Sequence, residues 1–234
     1  MPSILTHPAV PLTLGLALGR KTAPPALVIA GVCVSILPDL DILTYSMGIP
    51  LSNEYGHRGF SHSILFAVLV TLLGAYLLRA YKIPWHLTAW FLFVSAVSHG
   101  ILDAFTNGGH GIAFFWPWSK TRYFAFYRVI EVSPIHLERM LPNRMKTVFL
   151  SELLWVWLPL TTIGLSGAFM RKRLSCWSTQ WFHKHRSQTY DKPSLDINSD
   201  CHDYFVFRSE QKGINEQQQL SEQTIQRSFK DHSI

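Results

Sequence analysis

Four short motifs carry most of the side chains in this sequence that could do chemistry. They are Thr6-His7-Pro8, Leu37-Pro38-Asp39-Leu40-Asp41, the run HRGFSHS over residues 57–63, and Ser98-His99-Gly100-Ile101-Leu102-Asp103. Together they supply imidazoles and carboxylates but no thiolate, a ligand set that suits Zn²⁺, Mn²⁺ or Fe rather than Cu(I). We therefore predict a site for one or two divalent metal ions, with zinc favoured over manganese or iron.

The spacing within the motifs indicates how these side chains could share an ion. His99 and Asp103 are four residues apart, so on a helix they lie on one face and could bind the same metal. Asp39 and Asp41 follow a proline in a short segment, from which two carboxylates can bind one ion or bridge two. The predicted metal ligands are His7, Asp39, Asp41, His57, His62, His99 and Asp103.

Divalent ions held in this way can bind a phosphoester and activate water for its hydrolysis. Arg58 stands beside His57, and its planar guanidinium suits a phosphate oxygen. We therefore predict hydrolysis of a phosphoester, with Arg58 and Asp41 as catalytic residues. The sequence has no P-loop, no G-x-S-x-G and no H-E-x-x-H, which argues against a nucleotide-driven pump, a serine hydrolase and a thermolysin-like protease.

The elements that must position these residues are apolar. Charged residues are 15% of the 234-residue chain, against about 25% in soluble domains. The first 170 residues carry 18 charged side chains, and the last 64 carry the same number. The apolar stretches cover residues 8–19, 25–37, 64–80, 87–105 and 147–169.

A helix that crosses a bilayer needs about 20 apolar residues, so the last three stretches are predicted to span and the first two are short. We predict an all-α integral membrane bundle of four to five helices over residues 1–170. A polar, poorly ordered tail is predicted over residues 171–234.

Alternating helix direction predicts where the motifs meet. The start of the first helix, the end of the second, the start of the third and the end of the fourth all lie on one membrane side. The basic run at residues 171–173 places the tail in the cytoplasm by the positive-inside rule, although the loop over residues 106–146 is also basic. We expect Glu152, near the start of the fifth stretch, to pair with Arg144 or Lys146.

Two other functions use the same cluster. A transporter or channel could carry metal ions or protons through it, and a non-catalytic membrane protein could hold a structural metal. Ligands gathered at one membrane face favour hydrolysis, and a polar trail across the bilayer would favour transport. The expected partners are the lipid bilayer and a phosphoester or phospholipid-like substrate, with no nucleic acid, and the sequence does not give the oligomeric state.

The four motifs in order resemble the YdjM-like family, over about residues 1–135. That family comprises LexA-regulated, membrane-bound metal-dependent hydrolases of the bacterial inner membrane, so the resemblance implies a multi-pass inner-membrane hydrolase. More remotely, the pattern is similar to zinc-dependent phospholipase C and P1 nuclease, which implies a helical phosphodiesterase with clustered metal ions. Carried over by motif, the ligands would be Asp41, His57 or His62, His99 and Asp103.

Overall fold

The computed structural model describes residues 2–133 and 142–186, with side chains as far as residue 174. The described chain is helical, with no strand beyond two isolated β-bridges. Shorter 3₁₀ turns cover Leu37–Asp41, Phe60–His62 and Leu78–Tyr81, and a π-helical turn covers Leu153–Trp157. The α-helices are α1 (Ala9–Leu18), α2 (Pro25–Ile36), α3 (Ile42–Ser46), α4 (Ile64–Leu77), α5 (Trp85–Ala104), α6 (Pro142–Glu152) and α7 (Leu158–Arg186).

Four helical segments are long and apolar enough to cross a bilayer: Pro25–Ser46, Ile64–Tyr81, Trp85–Ala104 and Pro142–Leu174. The all-α membrane bundle predicted from the sequence is thus confirmed. The second apolar stretch is longer than predicted because the helical path continues beyond α2 through the turn at Leu37–Asp41 into α3. Helix α1 has only ten residues, which is too short for a full span.

The hydrophobic core that holds the helices in position relative to each other lies between α2, α4 and α5. Leu27, Phe91 and Leu92 are fully buried there. Glycines allow the close approach, since a Cβ on Gly31 would lie 2.6 Å from the Phe91 ring and one on Gly74 would lie 2.7 Å from Leu92. Small residues of this kind let membrane helices pack tightly. The polar ends of α2, α4 and α5 are therefore held in a fixed relation.

The helical path after the fourth span extends into the segment predicted to be a polar tail. Helix α7 continues to Arg186, and residues 187–234 lie outside the described residues. The compact unit that contains the motifs ends at Lys172. The predicted disorder of the remaining tail therefore stays a prediction.

Candidate metal centre

Local structure at four chain positions brings the motifs to one end of the bundle. His7 lies two residues before α1, and Asp39 and Asp41 lie in the 3₁₀ turn that follows α2. His62 ends a 3₁₀ turn directly before Ser63, whose hydroxyl caps α4 by accepting the Phe66 N–H at 3.1 Å. The predicted convergence of these chain segments is observed. All seven predicted ligands and Arg58 are buried in one contact network.

Four of these residues, which we call the ligand cluster, have the geometry of a single metal site. One ligand atom from each of Asp39, His62, His99 and Asp103 lies within 4.8 Å of all the others. His99 Nε2 lies 3.4 Å from Asp39 Oδ1, and His62 Nε2 lies 3.2 Å from Asp103 Oδ2. His99 and Asp103 come from one face of the last turns of α5, as their spacing predicts.

The tautomer of His99 is fixed by the backbone. Its Nδ1 lies 2.7 Å from the carbonyl oxygen of Ser35, which can only accept, so Nδ1 carries the proton and Nε2 presents a lone pair. That lone pair faces His62 Nε2 at 2.9 Å. Two nitrogen lone pairs at this distance repel each other unless a proton or a metal ion lies between the rings. The His62–His99 pair therefore holds either a proton or a metal ion at this point.

In the metal-free protein that cation is a proton on His62. Burial lowers the pKa of His62, but the hydrogen bonds and charges of Asp103 and Asp41 outweigh burial and raise the pKa to about 9. A bound metal ion would take the place of this proton at Nε2.

Orphaned polar atoms around the ligand cluster supply the test of fit for a metal. Both carboxylate oxygens of Asp39, both of Asp103 and both ring nitrogens of His7 are buried without a hydrogen-bond partner. Buried polar groups in proteins are almost always hydrogen-bonded or bound to an ion. The oxygen and nitrogen donors present therefore fit a divalent cation.

His7 lies at the edge of the ligand cluster. Its Nε2 is 3.4 Å from Asp39 Oδ2, and its ring stacks on His99 with centroids 3.8 Å apart. Burial is the main cause that lowers the pKa of His7 to about 3, against the opposing effect of the Asp39 carboxylate. The ring is neutral at physiological pH, the form that binds metals.

Asp41 occupies a second group with His57 and His62, in which ligand atoms again lie within 4.8 Å. Unlike Asp39, Asp41 is saturated with donors. Its Oδ1 lies 2.6 Å from His57 Nδ1, and its Oδ2 accepts from the Arg58 N–H at 3.2 Å and from the Ser61 hydroxyl. His62 Nδ1 also lies 3.2 Å from Asp41 Oδ2. These contacts orient both imidazoles, so Asp41 has the environment of a supporting carboxylate.

Arg58 is a buried structural group in this arrangement. Its Nη1 donates to the Gly108 carbonyl at 2.8 Å and its Nη2 donates to Thr106 Oγ1 at 2.9 Å, while Nε lies 3.3 Å from Asp103 Oδ2. The side chain is 1% exposed. The contacts give no support to the predicted role of Arg58 in binding substrate phosphate. They fix Asp103 against the loop that follows α5.

Two residues that position Arg58 were missed by sequence reasoning. Gly109 has a φ of +92°, and a Cβ there would lie 2.5 Å from Arg58 Nη1, so only glycine fits both the conformation and the space. Thr106 is fully buried and receives one of the two guanidinium hydrogen bonds. The paired glycines at 108 and 109 mark a turn, but nothing in the sequence indicates which side chain the turn contacts.

The predicted pairing of Glu152 with Arg144 or Lys146 is wrong. Glu152 shares a buried helix face with Val148, whereas both basic residues are exposed. The Glu152 carboxylate accepts the backbone N–H and the hydroxyl of Ser3, and Arg144 pairs with Glu131 at 3.6 Å.

Comparison with known proteins agrees with the membrane architecture. Residues 1–173 match the family described as YdjM inner membrane protein. The chain is also similar to the inner membrane protein YbcI of Escherichia coli (strain K12), with 46% identity over 160 residues that cover 68% of this chain and 92% of that protein. No solved structure matches. With its four apolar helices this is a multi-pass inner-membrane protein, and the chain belongs to the YdjM family of inner membrane proteins.

Proposed function

We propose that this protein is a metal-dependent hydrolase that cleaves a lipid-linked phosphoester at one membrane face. The observation that carries the proposal is the ligand cluster, in which buried carboxylates without hydrogen bonds meet two imidazoles whose Nε2 atoms lie 2.9 Å apart. Asp103 has positive partners in Arg58 and His62, whereas the described partners of Asp39 are the imidazoles of His7 and His99, so a divalent ion would add positive charge beside Asp39. Intramembrane ionisable groups of this kind mark functional sites.

The donor set suits zinc. Two imidazole nitrogens and two carboxylates can hold Zn²⁺ in four-coordination, and His7 lies beside them with its Nε2 3.4 Å from Asp39 Oδ2. The Nδ1 contacts of His99 and His62 with Ser35 and Asp41 are the supporting hydrogen bonds that metal-binding histidines use. When bound, a divalent ion supplies a Lewis acid that polarises a phosphoryl oxygen and lowers the pKa of water.

A small cleft, with room for about one water molecule, lies beside His62. Ser61, His62 and Ser63 form its polar wall. The remaining lining is apolar and comes from Pro38, Ile64, Phe66, Ala67, Ala96, Val97 and Phe114. The cleft is too small for a hydrocarbon chain. The support for a lipid-linked substrate is instead that the ligand cluster lies at the ends of candidate spans, next to the start of α4 and the end of α5.

Hydrolysis is favoured over transport by the distribution of buried ionisable groups. In the described residues these groups belong to the end of the bundle that holds the motifs, together with Glu152. Deeper in the bundle the buried polar residues are hydroxyls such as Thr71 and Thr88. No further ligand set of three or more residues occurs across the described spans. A continuous path for an ion is therefore not supported.

The test uses the full chain purified in detergent. Metal content is measured by mass spectrometry, and phosphate or headgroup release is measured from phosphatidic acid and phosphatidylglycerol in mixed micelles. We expect bound zinc and hydrolysis in the wild type, and loss of both after chelation or in His99→Ala and Asp103→Asn. Thr161→Val, which changes an exposed hydroxyl on α7, is the matched control and should retain both.

The alternatives give different outcomes in the same preparation. Zinc uptake by proteoliposomes without ester cleavage would identify a transporter. Bound zinc whose removal only lowers the unfolding temperature would identify a structural metal. Wild-type protein that binds no divalent ion would refute the proposal itself.

A further inference from the structure

The buried carboxylate of Glu152 has a role that lies outside the ligand cluster. We infer that Glu152 is a positioning residue that holds His7 at the edge of the ligand cluster by anchoring the segment before α1, an inference that rests on the proposed metal centre. Glu152 is 2% exposed, and both of its carboxylate oxygens are used by Ser3. One oxygen accepts the Ser3 backbone N–H, and the other accepts the Ser3 hydroxyl at 2.7 Å.

The segment between Ser3 and α1 is a compact turn. The Thr6 N–H donates to the Ser3 carbonyl at 2.9 Å, and the Ala9 N–H donates to the Thr6 carbonyl at 3.0 Å. Thr6 and His7 are fully buried. Because these bonds connect Ser3 to the first residue of α1, fixing Ser3 also fixes the backbone of His7.

The His7 ring has no hydrogen bond of its own to hold it. Neither nitrogen has a hydrogen-bond partner, and the ring contacts are the stack on His99 and the 3.4 Å approach to Asp39. Segments that no helix or strand holds are poorly ordered unless they are tied down. The position of His7 therefore depends on its backbone, and the hydrogen bonds from Ser3 to Glu152 hold that backbone in place.

The helical segment that carries Glu152 also packs against the start of α1. Val156, one turn beyond Glu152, clusters with Ala9 and Ile130. The anchor and the start of α1 thus contact the same part of the fourth span. Glu152 can lie on this buried face because its two carboxylate oxygens match the two donors of Ser3.

The first experiment needs no metal. Hydrogen exchange of the metal-free protein is measured at the Thr6 and Ala9 amides in the wild type, Glu152→Ala and Glu152→Gln. We expect protection in the wild type, loss of protection in Glu152→Ala, and partial protection in Glu152→Gln, which keeps one acceptor oxygen. Thr13→Val, which removes a different side-chain hydrogen bond between α1 and Leu160, is the control and should leave both amides protected. Equal exchange in the wild type and Glu152→Ala would overturn the inference.

The second experiment asks whether the anchor acts through His7. Zinc affinity is measured by competition with a chelator for Glu152→Ala, His7→Ala and the double variant. We expect each single variant to weaken zinc binding about tenfold, the scale seen when support around a metal is lost, and the double variant to equal His7→Ala. If Glu152→Ala weakens zinc binding in the His7→Ala background as much as it does in the wild type, its effect does not act through His7, and the inference is overturned. Absence of zinc binding in the wild type would refute the proposed function, whereas the exchange result still decides the anchor.

Discussion

Replacing Asp41 with asparagine separates a supporting carboxylate from a metal ligand. In the wild type, Asp41 Oδ2 lies 3.2 Å from His62 Nδ1 and stabilises the proton on that nitrogen, which leaves Nε2 for the ion. Asparagine offers one acceptor oxygen, and its amide nitrogen would face donors from His57, Arg58 or Ser61. The His62 proton would then shift in part to Nε2, the atom that the metal needs.

The magnitude follows from this supporting role. Loss of a group that orients a metal ligand weakens metal affinity about 10–100-fold, which corresponds to about 1.4–2.8 kcal/mol. Ser61→Ala is the comparison, because it removes one donor to Asp41 and the 3.0 Å contact of the hydroxyl with His62 Nδ1 but keeps both contacts between Asp41 and the imidazoles. We expect Ser61→Ala to change zinc affinity by less than about threefold, since it spares the carboxylate that orients the ligand.

Zinc stoichiometry and affinity, measured by mass spectrometry and chelator competition, check this prediction. The expected result is one zinc ion in the wild type and one, more weakly bound, in Asp41→Asn. A wild type with two ions that falls to one in Asp41→Asn would refute the reasoning, because Asp41 would then bind a second ion with His57. Unchanged affinity would refute the orienting role.

Three further results are expected. Because the pKa of His62 is raised to about 9, the zinc dissociation constant should fall about tenfold per pH unit from pH 6.5 to 9 and then level off. The His62 proton stabilises the metal-free fold fully below about pH 6.5, and this stabilisation is lost as the pH approaches 9, so the metal-free unfolding temperature should decline over that window. A flat profile in either measurement would contradict the assignment of this pKa to His62. Arg58→Lys removes the guanidinium hydrogen bonds to the Gly108 carbonyl and Thr106 Oγ1 and should lower the free energy of unfolding by about 1–3 kcal/mol in a denaturant titration, whereas wild-type stability would show that these contacts matter little. A lipid-linked substrate predicts that the wild type hydrolyses long-chain phosphatidic acid faster than glycerol 3-phosphate at the same zinc content, and equal rates would exclude recognition of the lipid chain.

The helical membrane fold and the meeting of the motifs could be predicted because both depend on simple regularities. Apolar length predicts spans, and alternating helix direction predicts which ends meet. The i, i+4 spacing of His99 and Asp103 predicts a shared face, and their contact at 3.9 Å agrees. The extension of the second span through Pro38 was missed, because a proline normally ends a helix, whereas here a 3₁₀ turn carries the chain onward.

The separate environments of Asp39 and Asp41 could not be predicted from their spacing. Both follow Pro38 and both are buried, yet Asp39 has no hydrogen-bond partner while Asp41 accepts several. This difference comes from the backbone after His57, where Arg58 adopts a φ of +70° and directs its N–H at Asp41. Left-handed conformations of non-glycine residues depend on tertiary contacts. The hydrogen bonds between Glu152 and Ser3 join residues that are 149 positions apart in the sequence, so local patterns do not indicate them either.

The rigid attachment of the ligands to helix ends has a consequence for the membrane itself. His62 lies one residue before the cap of α4, and Asp103 lies in the last turn of α5, so each ligand moves together with its helix. Bilayers of different thickness impose different tilts on such helices. Acyl length in reconstituted vesicles should therefore tune how tightly zinc is held, which would make the surrounding lipid a regulator of the centre.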